Sequence, residues 1–332
     1  MYLKFYGLKE KPFESVPDPK YFYPSPKHKR ALHYLEYAFL NRAGLILITG
    51  DPGTGKTLLI KKFLSQVPKE DVAFITNTNV TSLELIQTIF HAFNLYYEPH
   101  ETKAQLLDRF KKFLLDRHLR NKQAVIIIDE AQNLNFELLE EIRMLSNLQE
   151  DSHNLLQLIL VGQPLLRKRV EHDSLRQLKQ RIFLSYHLKP LDLEETSDYI
   201  RYRLSVAGAQ NPNIFSQQAV KVIHVHSQGI PRLINSLCEA SLVYGFADEK
   251  RIIDEKLVKE VIEELFSSDV DTNAIGEVNS GLCEINTDHK LQEIEERLNL
   301  LEKNLGLLVE KLNLFFDKFD SILGKFLEDK NK

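Results

Sequence analysis

Through the first 190 residues, apolar positions gather in short unbroken runs rather than alternating with polar ones. Leu45 to Ile48, VAFITNTN from Val72 to Asn79, AVIII from Ala124 and LLQLILV from Leu155 are the clearest. Runs of this length, rich in β-branched residues, are what a strand covered on both faces requires, so they predict a parallel sheet between two layers of helix. A shorter run, IFLSYHL from Ile182 to Leu188, supplies a fifth strand. Beyond Pro190 the period lengthens. LDLEETSDYIRYRLSVAG, FSQQAVKVIHVHSQG, PRLINSLCEASLVYGFA and DEKLVKEVIEELFSS each carry apolar residues three and four apart, with Gly208 and Gly229 as stops. They predict a four-helix module. His224 and His226, two apart, point away from each other on such a helix and read as packing or surface residues rather than metal ligands.

A polar, aperiodic stretch follows and reads as a linker over residues 269–286. After it, Leu291, Ile294, Leu298, Leu301, Leu305, Leu308, Leu312, Phe315, Phe319, Ile322 and Phe326 keep an unbroken 3, 4 spacing. That is a coiled-coil seam over residues 287–332. Its outer positions turn apolar at Val309, Phe316 and Leu323, a wider stripe that suits self-association, a protein partner or a membrane surface. The expected division is therefore 1–190, an α/β domain; 191–268, an all-helical domain; 269–286, the linker; and 287–332, the coiled coil.

Composition narrows the class without naming a chemistry. The chain has 332 residues, 43% hydrophobic and 27% charged, in the range of ordinary globular proteins and room for about two domains. Two cysteines, Cys238 and Cys283, exclude a disulfide framework and fit a reducing, cytoplasmic compartment. The start, MYLKFYGLKEKPF, lacks the pattern of a secretory signal, and no apolar run approaches the roughly 20 residues of a membrane span. Net charge is −4, yet up to Pro190 the chain carries 27 basic against 21 acidic residues and beyond it 16 against 26. The basic excess of the first part hints at a polyanion, although solvated surface charge explains such a bias as well.

The chemistry lies where strands end. After the first run comes GDPGTGKT, Gly50 to Thr57: a Walker A loop between a buried strand and a helix. Its residues Gly50, Asp51, Pro52, Gly53, Thr54, Gly55, Lys56 and Thr57, with Leu58 behind them, would wrap phosphate oxygens in backbone N–H groups at the positive end of a helix. Lys56 would reach the β and γ phosphates and the Thr57 hydroxyl would bind Mg²⁺. The run ending Asp129-Glu130 supplies the complementary acids, Asp129 for the metal and Glu130 to deprotonate the attacking water. At the end of the next strand, Gln163 either contacts the γ phosphate or closes a plain turn.

GDPGTGKT, IIIDEAQNL, LILVGQPLL, LRQLKQRI, SQGIPRLINSLC and the opening FYGLKEKPFESVPDPKYFYPSPKHKRALHYL resemble the AAA+ ATPases of the ExeA or GspA secretion type, with their pilus-associated and transposon-helper relatives. The likeness runs from Leu3 to Phe266. It implies an α/β P-loop NTPase with a three-layer parallel sheet, a C-terminal helical lid, and ATP with Mg²⁺ as cofactors. It also implies that Arg232, in GIPR, is a lid arginine approaching the γ phosphate. Arg181, or else Arg176, would be a finger entering a neighbouring subunit's site, though either fits a surface salt bridge equally. The segment around Pro17, Tyr21 and Tyr23 either covers the adenine or straps the core. Relatives of this type continue into a transmembrane helix and a peptidoglycan-binding domain, neither expected here.

Together these readings predict an ATPase that assembles with itself as a ring or filament, seeks a protein partner through its tail, and remodels or positions that partner in a secretion or envelope-polymer system. The expected location is cytoplasmic, or peripheral to the inner face of the membrane. The alternative is an ATP-dependent DNA-binding regulator, motivated by Arg167-Lys168-Arg169 and the basic stretch Arg117 to Lys122.

Overall fold

Successive residues of a strand face opposite sides of a sheet, so an unbroken apolar run must meet a hydrophobic layer on each. The computed structural model, which describes residues 2–14, 16–150 and 153–266, contains that arrangement. Strands β1 (Leu45–Gly50), β2 (Val72–Ile75), β3 (Ala124–Ile128), β4 (Leu156–Gly162) and β5 (Ile182–Leu188) form one sheet in the order β2-β3-β4-β1-β5. Every pairing is parallel, with Ile46 opposite Ile159, Ile126 opposite Leu158 and Phe74 opposite Ile127.

The odd and even residues divide between two cores. Leu45, Leu47, Ile126, Ile128, Leu158 and Leu160 face α3 (Ser82–Ala92), α4 (Lys103–Leu119), α5 (Phe136–Ser146) and α6 (Pro164–Val170). Ile46, Ile48, Val125, Ile127, Ile159 and Val161 face α1 (Pro26–Leu40) and α2 (Lys56–Leu64). This is the three-layer sheet expected from the pattern. The helices start where side chains supply the missing acceptors: Thr81 with Glu84 and Thr102 with Gln105 form reciprocal caps on α3 and α4. α7 (Arg176–Arg181) leads into β5.

One strand is shorter than its sequence suggested. The run from Val72 to Asn79 stays extended only to Ile75, because the Asn77 side chain accepts from the Asn79 N–H at 3.3 Å and so competes with the ladder. Asn77 consequently lies beyond the strand.

A third core belongs to the helices after Pro190: α8 (Leu193–Val206), α9 (Gln217–Ser227), α10 (Pro231–Ala247) and α11 (Glu255–Phe266). Asp192 and Glu195 cap α8 reciprocally, while Gly208 and Gly229 take positive φ after α8 and α9. His224 and His226 bond within this module, to the Thr196 hydroxyl and the Val222 carbonyl. Cys238 is buried there.

The opening residues share that core. Tyr6, Leu8 and Phe13 are buried among α8 to α11, although the sequence placed them with the α/β domain. At about 1.5–3 kcal/mol for each large apolar side chain buried, they fasten the N-terminus firmly to the lid. Phe22 and Leu32, further along, pack against the sheet instead. The segment between them therefore crosses from one core to the other. No helix among the described residues is long and apolar enough to cross a membrane. The linker at 269–286, the coiled coil at 287–332 and Cys283 lie outside the described residues.

Candidate functional site

The turn after β1 is shaped by residues that tolerate unusual backbone. Gly53 has φ +82°, and a Cβ there would come within 2.7 Å of the Arg232 Cβ, so the loop and the start of α10 touch with no room for a side chain between them. The Arg232 N–H donates to the Gly53 carbonyl at 3.3 Å. Thr54 closes the loop by donating its hydroxyl to the Asp51 carbonyl at 2.8 Å. The Lys56 ammonium donates to the carbonyls of Gly50 and Asp51 at 2.8 and 2.9 Å. Burial lowers its pKa, and the nearby carboxylates of Glu130, Asp129 and Asp51 oppose that shift by favouring the charged form.

The acidic strand end meets this loop. Thr57 Oγ1 donates to Asp129 Oδ2 at 2.9 Å across 72 residues of sequence. The other Asp129 oxygen accepts the Glu130 N–H at 2.9 Å. Glu130 itself has φ +53°, a left-handed conformation costly for a side chain of its size and of the kind found where geometry serves a site. That turn leaves Glu130 exposed at the cleft while Asp129 is buried. A hydroxyl and a carboxylate in contact form a hard-oxygen donor pair that fits Mg²⁺.

Around these groups lies a cleft of about 480 Å³. Pro52, Gly53, Gly55, Lys56, Thr57 and Leu58 line one side of it, with Glu130 and Gln163 beyond them. Gly50, Asp51 and Thr54 act from behind, through the carbonyls and hydroxyl just described. The facing wall comes from the opening segment and the lid, with Pro17, Tyr21, Tyr199, Arg203, Pro231 and Arg232. Of the three N-terminal residues singled out by sequence, Pro17 and Tyr21 reach the cleft. Tyr23 packs its ring against Tyr199 and Tyr202 instead.

Two residues of the site escaped sequence reasoning. Gln132, 6% exposed, donates from Nε2 to Glu130 Oε2 at 2.6 Å and accepts the Gln163 N–H at Oε1, 3.0 Å away. It ties the acid at the end of β3 to the polar end of β4. Arg203, 4% exposed, donates to the carbonyls of Pro12 and Glu14 and to the Tyr199 hydroxyl. Its guanidinium lies over the Tyr21 ring, 4.6 Å from the centroid. A positional signal existed for it: Arg203 falls on the same helical stripe as the buried Thr196, Tyr199 and Ile200.

Arg176 and Arg181 are exposed and lie away from this cleft. Arg181 borders a separate cavity of about 370 Å³ with Arg42 and Gly44, at the entry of β1. Ile182, its neighbour, pairs with Leu45 at that entry, whereas the phosphate loop begins five residues on at Gly50. At about 3.3 Å per residue, the strand sets Arg181 roughly 17 Å from the loop of its own chain.

Comparisons with known proteins bear on the family and the fold. A family model described as an AAA domain matches residues 40–170. General secretion pathway protein A of Aeromonas hydrophila is 42% identical over 248 residues, covering 74% of this chain and 45% of that protein. The chain thus spans less than half the length of that curated relative. The ATP-dependent target DNA activator B of Escherichia phage Mu is 29% identical over 130 residues, 39% of each chain. Among solved structures, the Drosophila ORC bound to DNA matches with TM-score 0.59 at 14% identity, covering 80% of this chain and 66% of that one. The Aeropyrum pernix ORC2 protein matches with TM-score 0.57 at 16% identity, over 80% and 73% of the two chains. Both structural likenesses speak to the fold alone.

Proposed function

We propose that this chain, which belongs to the AAA+ ATPases of the general secretion pathway protein A type, hydrolyses ATP in the cleft between its phosphate loop and its lid. The observation that carries the reading is the 2.9 Å hydrogen bond from Thr57 to Asp129 beside the Lys56 ammonium. It joins the loop and the acidic strand at the one place where a triphosphate and its metal need both. Mg²⁺ held by Thr57 and Asp129 would neutralise phosphate charge.

The chain's own groups then divide the work. Lys56 and the loop amides bind the β and γ phosphates. Glu130 accepts a proton from the water that attacks the γ phosphorus, as the bond from that phosphorus to the β–γ bridging oxygen breaks. Gln163 contacts the γ phosphate or the water, and Arg232 approaches from the lid. Arg181, in preference to Arg176, serves a neighbouring copy, because the strand register holds it far from its own loop. A site completed in trans makes hydrolysis depend on self-assembly, as a ring or filament.

The work is done on a partner in a secretion or envelope-polymer system, a role that rests on the relative's name and on the partner-seeking tail. We place the protein in the cytoplasm or at the inner face of the membrane. DNA regulation is the second reading, supported by the likeness to the phage activator. Against it, two members of its basic cluster are engaged locally: Arg167 pairs with Glu171, and Arg169 donates to the Leu134 carbonyl.

An ATPase assay over a range of protein concentrations, with and without DNA or lipid, tests the proposal. Specific activity should rise with concentration, and Glu130→Gln should bind ATP yet hydrolyse it at least about 100-fold more slowly. A wild-type protein inactive under all these conditions would overturn it.

A further inference from the structure

The phosphate loop rests on a histidine from the opening segment. His28 lies in the first turn of α1, where Ser25 caps the helix and Pro26 begins it. Its ring makes two polar contacts, Nε2 with the Thr54 carbonyl at 3.1 Å and Nδ1 with Ser25 Oγ at 2.8 Å. A carbonyl only accepts, so Nε2 must carry the proton and Nδ1 must accept from the serine hydroxyl. The same hydroxyl accepts the His28 N–H at 3.3 Å, which completes its bonding and fixes the tautomer. The Phe22 ring packs against the imidazole in a T-shaped contact, 5.9 Å between centroids at 81°. Burial pushes the imidazole pKa down to about 4, so the ring is neutral at physiological pH.

The contact matters because a trans peptide is planar, with its carbonyl and its N–H on opposite edges. Anchoring the Thr54 carbonyl on His28 turns the N–H of Gly55 the other way, into the cleft that Gly55 lines. Gly55 has φ +93°, and a Cβ on it would lie 3.1 Å from His28 Nε2, so the ring fits flush against the loop at that residue. The histidine stands behind the peptide, where it can touch no phosphate itself. Its effect passes through the amide it orients.

We infer that His28 is a positioning residue for phosphate binding, holding the Thr54–Gly55 peptide through its Nε2–H so that the Gly55 amide faces the phosphates. This rests on the nucleotide reading above and adds a determinant of affinity outside the loop. Removing the anchor lets that peptide rotate, and the loop must then be ordered at the moment of binding. The loss falls equally on ground state and transition state, so it appears in KM and not in kcat.

The test compares wild type with His28→Phe, which keeps a ring and loses the donor, and His28→Gln, whose amide can donate in its place. Affinities for ADP and for adenosine, which carries no phosphate, are measured by titration calorimetry and by competition, together with steady-state kinetics. ADP affinity should fall about tenfold in His28→Phe, with adenosine affinity unchanged, KM for ATP raised and kcat retained. His28→Gln should recover to within about threefold of wild type. ADP binding unaltered in His28→Phe overturns the inference, as does an equal loss for ADP and adenosine, which would mark a purely structural role. Wild type failing to bind ADP at all would instead remove the nucleotide reading, and the inference with it.

Discussion

The two walls of the cleft are built in opposite ways. The phosphate wall comes from strand ends whose residues sit side by side in the sequence, Gly50 to Leu58 and Asp129 to Gln132, and are held by bonds within and between those two turns. The facing wall comes from segments almost the length of the described chain apart. Arg203 reaches back 191 residues to Pro12, Tyr2 donates to Glu239 across 237, and Tyr6 donates to the Lys250 carbonyl across 244. The first wall is a local motif set on a rigid sheet. The second is a tertiary product, in which the opening segment is a part of the lid core that happens to begin at the N-terminus. Any opening of the lid must therefore carry the strap with it, since the two share one hydrophobic core.

Breaking the second wall should cost most. Arg203→Ala strands the buried Pro12 carbonyl at about 1–3 kcal/mol, takes a donor from the part-buried Glu14 carbonyl, leaves the Tyr199 hydroxyl with Asn235 alone, and removes the cation stacked on Tyr21. We expect a loss near 3 kcal/mol, read as a lower midpoint in urea denaturation. Arg203→Lys should recover little, because one ammonium cannot serve the same three acceptors in a fork. A loss below about 1 kcal/mol would mean that apolar packing of Tyr6, Leu8 and Phe13 alone fastens the segment.

Acid should probe the point where the N-terminal chain joins the phosphate wall. His28 titrates near 6.5 when unfolded and is depressed to about 4 when folded, so below pH 6.5 the unfolded state binds the extra proton. Stability is then complete above pH 6.5 and is lost as pH falls towards 4. The linkage amounts to about 2 kcal/mol at pH 5. Wild type should lose that much more than His28→Phe when denaturation at pH 7 and pH 5 is compared. Parallel pH curves would mean that the folded ring binds its proton as readily as the unfolded one.

The same contrast explains what the sequence could and could not reveal. Walker A and the strand ending Asp129-Glu130 were legible because each needs only its own neighbours: a buried strand, a tight turn and a helix start. The four lid helices were legible from period alone. Tyr6, Leu8 and Phe13 were not, since a dozen residues with scattered aromatics do not say which of two cores they enter. Arg203 reads as the polar residue of an amphipathic helix until Tyr199, four positions earlier, is seen on the same buried stripe. Gln132 reads as a solvated turn residue. The run from Val72 overstated β2 because an Asx turn at Asn77 ends the strand early, which a single polar side chain in an extended run does not announce.

Gln132 offers the finest test, inside the phosphate wall itself. Its amide is the direct link between the acid on β3 and the end of β4, and both its contacts use opposite ends of one group. A Cβ at Gly162 would lie 2.9 Å from Gln132 Oε1, so the glycine at the end of β4 leaves that oxygen its space. Gln132→Met keeps the volume and removes both bonds. Glu130 would then lose the donor that fixes one carboxylate oxygen while retaining its left-handed backbone. A displaced base costs reaction rate and leaves phosphate binding to the loop, so kcat should fall about tenfold, roughly 1.4 kcal/mol, at unchanged ADP affinity. The combination Gln132→Met with Glu130→Gln separates this from a general loss of packing. With the carboxylate already gone, the methionine should cost almost nothing further, because the group it positions no longer acts. An additive tenfold loss in the double variant would mean that Gln132 works through Gln163 and the β4 end rather than through Glu130.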